Sequence, residues 1–453
     1  MNQPEKLNPP SPCPTDDPDS PPTNIELSPA ELIVFAMRLH KDSRLDGAEK
    51  CYRGLLNLEP DNANALHYLG VLLYQCSKVE QALEMIEKSI AIDPSVASWH
   101  NNLGNILLDR GQFDEAALAY ARCSELDDSN LEVLNNLGVL YQKMQRPLEA
   151  EAALKRVLQI APTFVLAHNN LATLYTSLDR MPEAFSHLAD ALALRPGDTN
   201  TRRLLIVAYG KAGRFEDGLR VCREWLELEP GNPEAQHFYA AYGGTDTPER
   251  ASDDYVVAEF DGFANSFDAK LASLEYRAPQ WIGEAVSQLL GEPRAQCDVL
   301  DAGCGTGLCA PFLRPFAKEL VGVDLSANML SRAKERGVYD ELVQSELVTF
   351  ISGCKDRFDL IASADTLCYF GRLSQAFVAV KHALKAGGHW VFTVEAHPGT
   401  DDFTLQSHGR YNHSRHYIES ELAAAGFSQT DLQPVDLRFE SKEPVRGWLV
   451  SAG

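Results

Sequence analysis

No run of 18 consecutive apolar residues occurs in this chain, and its first residues carry no apolar signal core, so neither a membrane span nor a secretory leader is expected. Positive charge is also scarce: 41 Lys and Arg stand against 64 Asp and Glu, a formal net charge of −23. Such a chain repels phosphate backbones, which argues against a nucleic-acid partner. The nearest thing to a basic patch, Arg202, Arg203, Lys211, Arg214, Arg220 and Arg223, is spaced as the solvated faces of helices. The ten cysteines, at 13, 51, 76, 123, 222, 297, 304, 309, 354 and 368, include no C-x-x-C pair and no histidine at zinc spacing. No disulfide framework and no metal are expected, and reduced thiols fit a cytoplasmic protein.

With 453 residues, two or three domains are the starting expectation. Residues 1–27 form the first segment, a proline-rich tail with Pro4, Pro9, Pro10, Pro12, Pro14, Pro18, Pro21 and Pro22, which cannot bury enough apolar surface to offset chain entropy. Beyond it the prolines fall into register. Pro60, Pro94, Pro162, Pro196 and Pro230 are separated by 34 or 68 residues, with Asp128 in the missing place. Leu69-Gly70, Leu103-Gly104, Leu137-Gly138, Leu171-Ala172 and Leu205-Ile206 keep the same period, as do Ala48, Ala82, Ala116, Ala150, Ala184 and Gly218. This pattern resembles the tetratricopeptide repeat, in which small residues let two helices cross closely and proline ends the second. Six repeats are expected, at about 29–62, 63–96, 97–130, 131–164, 165–198 and 199–232, with a capping helix from Pro233 to Tyr242.

The region 28–243 should therefore be an all-α superhelix with a concave binding face. Asn101-Asn102, Asn135-Asn136 and Asn169-Asn170 recur at one point of three successive first helices, where amides can bond an extended peptide backbone. Tolerance of Asn by the repeat explains the same recurrence without any ligand. The second Asn of each pair, Asn102, Asn136 and Asn170, resembles the asparagine ladder of O-linked N-acetylglucosamine transferases. That likeness implies a protein or peptide partner on the concave face.

Gly243-Gly244-Thr-Asp-Thr-Pro248 marks a linker, and 244–453 makes a second folded region. Strands are expected at 298–302, 320–324, 342–346, 358–363, 388–395, 427–433 and 445–451, with helical patterns between them, which means an α/β fold built on a parallel sheet. The first strand leads into Gly303-Cys-Gly305-Thr-Gly307, where glycine lets the backbone approach a ligand closely. Asp324 ends the next strand, where a carboxylate can accept both ribose hydroxyls. The ligand is read as a nucleoside. A dinucleotide site spaces its glycines G-x-G-x-x-G, but Leu308 holds that last place. Val299-Leu-Asp301-Ala followed by G-x-G-x-G resembles motif I of the class I S-adenosylmethionine-dependent methyltransferases, of Rossmann-like fold.

That resemblance implies S-adenosylmethionine as cofactor and an antiparallel last strand. It implies cofactor-binding roles for Asp301, Gly303, Gly305, Gly307, Asp324, Leu325, Met329 (against the adenine), Glu346 (where relatives carry Asp), Leu347 and Asp365. It also implies a lid carrying Phe260 and Phe267, with Arg277 toward the methionyl carboxylate. Asp365-Thr-Leu-Cys-Tyr369 stands at motif IV without the Asn/Asp-Pro-Pro-Tyr/Phe signature of base- and glutamine-amine methylation, so Asp365 and Tyr369 are the acceptor-side candidates. His397, His408, His413 and His416 cluster late in the chain, where capping or exposure suits each better than a role as base. Tyr276-Arg-Ala-Pro279, the glycine motif and Arg410-Tyr-Asn-His-Ser414, set behind repeats, resemble the tetratricopeptide-repeat methyltransferases. The expectation is a methyltransferase whose repeats recruit a protein. Two rivals are a small-molecule O- or C-methyltransferase that uses the repeats for localisation, and an adaptor whose second domain only binds cofactor.

Overall fold

The computed structural model describes residues 27–264, 266–440 and 443–453, so the proline-rich tail expected at the start lies outside the described residues. The chain divides into two compact units, one ending at Leu204 and one running Leu205–Gly453.

In the first unit, helices follow in pairs: Pro29–Lys41 with Leu45–Leu58, Ala63–Gln75 with Val79–Ile92, Ala97–Asp109 with Phe113–Leu126, Leu131–Lys143 with Pro147–Ile160, and Val165–Ser177 with Met181–Leu194. The periodic small residues sit at the crossings. A Cβ on Gly138 would fall 2.5 Å from Leu154 Cγ, and one on Gly104 would fall 2.6 Å from the Tyr120 ring. The periodic alanines Ala48, Ala82, Ala116, Ala150 and Ala184 are fully buried. The periodic prolines have a second use. His100 Nε2 bonds the Pro94 carbonyl at 3.0 Å and His168 Nε2 the Pro162 carbonyl at 3.0 Å, and Arg202 reaches the Pro196 carbonyl in the same way. A side chain six residues on thus satisfies a carbonyl freed at the turn.

The second unit begins within Thr199–Lys211, continues through Phe215–Leu228 and Pro233–Ala241, and then builds a sheet: β1 (Cys297–Ala302), β2 (Ala317–Asp324), β3 (Glu341–Gln344), β4 (Phe358–Ser363), β5 (Leu384–Ala396), β6 (Phe403–Leu405), β7 (Tyr411–His413), β8 (Thr430–Glu440) and β9 (Glu443–Ala452). The order β3-β2-β1-β4-β5 is parallel throughout. β9 runs antiparallel to both β5 and β8, while the β6–β7 hairpin pairs with the end of β5. Val299, Leu300, Leu320, Val321, Val323, Leu360 and Ile361 are all fully buried, as a sheet covered on both faces requires. One face packs Phe377, Trp390 and Phe392; the other packs Ile282, Val286 and Leu313.

Helix Pro233–Ala241 is fastened inside this unit. The His237 ring stacks on Tyr255 with centroids 3.9 Å apart, and its Nε2 bonds the Gly409 carbonyl at 2.8 Å. Gly409 has φ +87°, and a Cβ there would lie 2.6 Å from the Tyr255 hydroxyl.

Candidate active site

After β1 the chain passes to β2 on one side, and β4 lies on the other, so the strand order reverses beside β1. Ligands of open α/β sheets bind at the carboxyl edge of that point. A cavity of about 220 Å³ lies there, and its wall includes Asp301, Gly303, Gly305, Asp324, Leu325, Glu346, Leu347, Asp365 and Tyr369. Gly303, Gly305 and Gly307 take φ of +77°, +55° and +86°. Their surroundings differ. A Cβ on Gly303 would meet Thr366 Oγ1 at 2.2 Å, and one on Gly307 would meet Tyr339 at 2.9 Å, so both serve packing. At Gly305 the nearest atom is Phe267 Cε1 at 3.9 Å, and Phe267 is itself on the cavity wall.

The Gly305 N–H donates to Asp324 Oδ2 at 2.8 Å, and the Ser326 N–H donates to Oδ1 at 2.9 Å. The glycine turn thus orients the carboxylate at the tip of β2. A carboxylate has about four acceptor sites, more than the backbone uses here, so capacity remains for a ligand. Burial pushes the Asp324 carboxyl up from its ordinary range, opposed by those N–H donors. Asp301 is 1% exposed and accepts a bond from the Tyr339 hydroxyl at 2.6 Å. Burial, with Asp324 nearby, pushes it up to about 7 against the pull of Tyr339.

Helices Asp253–Phe263 and Phe267–Ser273 supply Phe260, Phe267 and Leu271 to the wall. Phe260 meets Phe267 edge-on at 6.0 Å and Tyr369 at 5.3 Å. Polar bonds tie these helices to the cofactor motif: Ser326 Oγ donates to Asp261, while Thr306 Oγ1 and Arg336 both donate to Asp268. Glu346 caps helix Leu347–Ser352, taking the N–H groups of Val348 and Thr349 at 3.1 and 2.7 Å. The structure does not bring Met329, Arg277 or Gly307 to the cavity wall. Met329 is fully buried, and Arg277 flanks helix Ala278–Leu290, its guanidinium 3.8 Å from Glu275.

A buried ionic network that the sequence reading missed stands at the motif IV end. Arg438, 4% exposed, donates to Asp365 Oδ2 at 2.9 Å, to Glu440 at 2.8 Å and to Glu395. Arg410 pairs with Glu395 at 2.7 Å and Glu440 at 2.5 Å, and both arginines line the cavity. Thr393 Oγ1 also donates to Asp365 Oδ1 at 3.1 Å. Burial raises the Asp365 carboxyl against the pull of Arg438; burial likewise opposes Glu440, yet Arg410 and Arg438 hold that group down to about 2. In sequence these residues look like alternating charges on a solvated strand. The available signal was Arg438 between Leu437 and Phe439 on a strand whose partner, β9, sits inside the sheet. None of the four clustered histidines lines the cavity. His413 is fully buried and bonds the Gly371 carbonyl at 3.1 Å.

In the first unit, two of the three ladder candidates bond to neighbouring repeats. Asn102 Nδ2 lies 3.2 Å from His67 Nε2, and Asn170 Nδ2 donates to Asn135 Oδ1 at 2.8 Å. Asn136, like the other two, is partly exposed.

Residues 300–392 match a family model described as a methyltransferase domain. Residues 35–97, 95–163, 129–196 and 176–242 match tetratricopeptide-repeat models. Human methyltransferase-like protein 27 is 40% identical over 84 residues, 18% of this chain and 34% of that protein, so the match spans about a third of that relative. A malonyl-(acyl-carrier protein) O-methyltransferase of Pseudescherichia vulneris is 27% identical over 191 residues, covering 41% of this chain and 73% of its own length. A crystal structure of MamA aligns at 22% identity and a TM-score of 0.34, covering 36% of this chain and 94% of that one. The cofactor such domains use fits the residues present, because the Gly305 cradle is one that a Cβ would fill, beside an oriented carboxylate and an apolar wall. The chain carries tetratricopeptide repeats over residues 35–242 and a methyltransferase domain over residues 300–392, and these matches point to S-adenosylmethionine as its cofactor.

Proposed function

We propose that this chain is an S-adenosylmethionine-dependent methyltransferase whose repeats present a protein or peptide for modification. The observation that carries the reading is the Gly305–Asp324 pair on the cavity wall, in which the missing Cβ leaves the cradle open and the backbone N–H aims the carboxylate. When bound, the cofactor supplies an electrophilic methyl group on a sulfonium. Asp324 would hold the ribose hydroxyls, Glu346 the adenine edge, and Leu325, Leu347, Phe260 and Phe267 would exclude water from the apolar surface. Transfer to a nucleophilic acceptor needs positioning more than acid or base help. Asp365 and Tyr369 stand on the acceptor side, and Arg438 with Thr393 fixes the Asp365 carboxylate, the group there able to take a proton from the acceptor. Asn102, Asn136 and Asn170 would bond the backbone of a bound peptide, Asn102 and Asn170 exchanging their bonds between repeats for bonds to it.

A second reading, methylation of a small carboxylic acid, is favoured by the guanidiniums of Arg410 and Arg438 on the wall and by the relative named for malonyl groups. Incubating the full chain with cell extract and methyl-labelled cofactor tests both. Label should enter macromolecules, fall at least tenfold with Asp324→Ala, and fall with the triple change of Asn102, Asn136 and Asn170 to Ala. Label confined to small molecules would support the second reading, and labelling undiminished by Asp324→Ala would overturn the site assignment.

A further inference from the structure

The helix pair Val165–Ser177 and Met181–Leu194 brings together His168 from its first helix with His187 and Asp190 from its second. One ligand atom from each lies within 4.8 Å of the other two. His168 is buried, and its Nε2 bonds the Pro162 carbonyl at 3.0 Å. A carbonyl only accepts, so Nε2 carries the hydrogen and Nδ1 keeps its lone pair. His168 Nδ1 is 3.1 Å from His187 Nδ1, and Asp190 Oδ2 stands 3.9 Å from His168 Nδ1. Two imidazole nitrogens at about 2.0–2.1 Å from one zinc ion and 3.1 Å apart subtend roughly 98°, near the tetrahedral angle. A backbone carbonyl on the far ring nitrogen is also the support that metal-bound histidines use.

Comparison with neighbouring repeats separates this group from ordinary repeat chemistry. The bond to the proline carbonyl is shared, since His100 makes it to Pro94 as well, and by itself it signals no ligand. The second helix is what differs. One period earlier, the places of His187 and Asp190 hold Ala153 and Arg156, and two periods earlier Ala119 and Arg122. Asp190 is 59% exposed at its side chain and so can turn toward the pair, leaving a fourth position open to water.

We propose that His168, His187 and Asp190 bind one divalent transition-metal ion of the zinc class, clasping the two helices of the fifth repeat. Mixed imidazole and carboxylate donors suit that class.

The test is calorimetric titration of the EDTA-treated full chain with zinc sulfate alone, repeated with cobalt(II) for its visible absorption bands. His187→Ala installs the residue carried by the two preceding repeats, so the helix should be retained. The wild type is expected to take up one more equivalent than His187→Ala, and Asp190→Asn to bind at least tenfold more weakly. Equal stoichiometry and affinity in the wild type and His187→Ala would overturn the proposal and leave a histidine–histidine hydrogen bond. Should His187→Ala unfold, Asp190→Asn decides at its exposed position: zinc binding and cobalt bands equal to the wild type's would overturn it.

Discussion

Gly305→Ala separates the cofactor cradle from the fold. The added methyl meets nothing nearer than Phe267 Cε1 at 3.9 Å, and the N–H that holds Asp324 is kept. The cost to folding is then mainly that of an L-residue at φ +55°, about 1–2 kcal/mol. For a unit of this size that lowers Tm by roughly 2–8 °C. In the wild type, S-adenosylmethionine at 100 times its Kd adds about 2.7 kcal/mol, or roughly 5–11 °C. If the methyl takes the ligand's place and weakens binding 100-fold, the same concentration adds only about 0.4 kcal/mol, a shift of roughly 1–2 °C. The assay is a thermal scan with and without cofactor. Gly303→Ala is the contrasting control, because its Cβ would stand 2.2 Å from Thr366 Oγ1, a group already bonded to the Ala302 carbonyl. Strain and overpacking there should cost about 2–5 kcal/mol before any ligand is added. A Gly305→Ala variant that kept the full cofactor shift would refute the cradle.

Asp301 sits at about 7 in the folded chain against its usual 3.8, so the folded state holds more protons between those values and stability should fall as pH rises through that window. Asp301→Asn keeps an acceptor for Tyr339 and should flatten the fall by up to ~2.5 kcal/mol between pH 5 and 7.5, read from urea unfolding at those two values; unchanged slopes would count against it. Arg438→Met leaves the Asp365 and Glu395 carboxylates inside the fold with less compensation and should cost about 3–5 kcal/mol in denaturant unfolding. His237→Ala loses the stack on Tyr255 and the bond to Gly409, an expected loss of about 1–3 kcal/mol; a change under about 0.5 kcal/mol would mean that this contact holds nothing.

The repeats were legible because periodic prolines and small residues report local geometry: each sits at a turn or a crossing whose needs its own type satisfies, as Gly138 does against Leu154. Each of the seven expected strands has a counterpart: β1, β2, β4 and β5 because buried parallel strands read as unbroken apolar runs, while β8 and β9 are antiparallel and β8 runs Thr430–Glu440 against the expected 427–433. β6 and β7 were missed, since three residues each are too few to show a pattern and their place is set by the end of β5. At the site, the glycines and Asp324 could be read because one turn fixes both. The ionic network could not: Asp365, Glu395, Arg410 and Arg438 lie far apart in sequence and meet only through strand register. Met329 follows from the family resemblance alone, and a resemblance does not fix which flank of the helix a side chain leaves from; here it is fully buried and off the cavity wall.

Arg410, on the acceptor wall, follows directly after the glycine whose carbonyl His237 grips. Any rearrangement of modules therefore has an awkward seam. A joint cut at Gly243-Gly244 would strip the methyltransferase domain of the aromatic clasp on Tyr255 and free the loop that carries Arg410, whereas one cut before Leu205 would carry the clasp along. Substitutions in the helix Pro233–Ala241 are likewise constrained, because His237 holds the residue one peptide bond from Arg410, so that end of the array should drift more slowly than its opposite end.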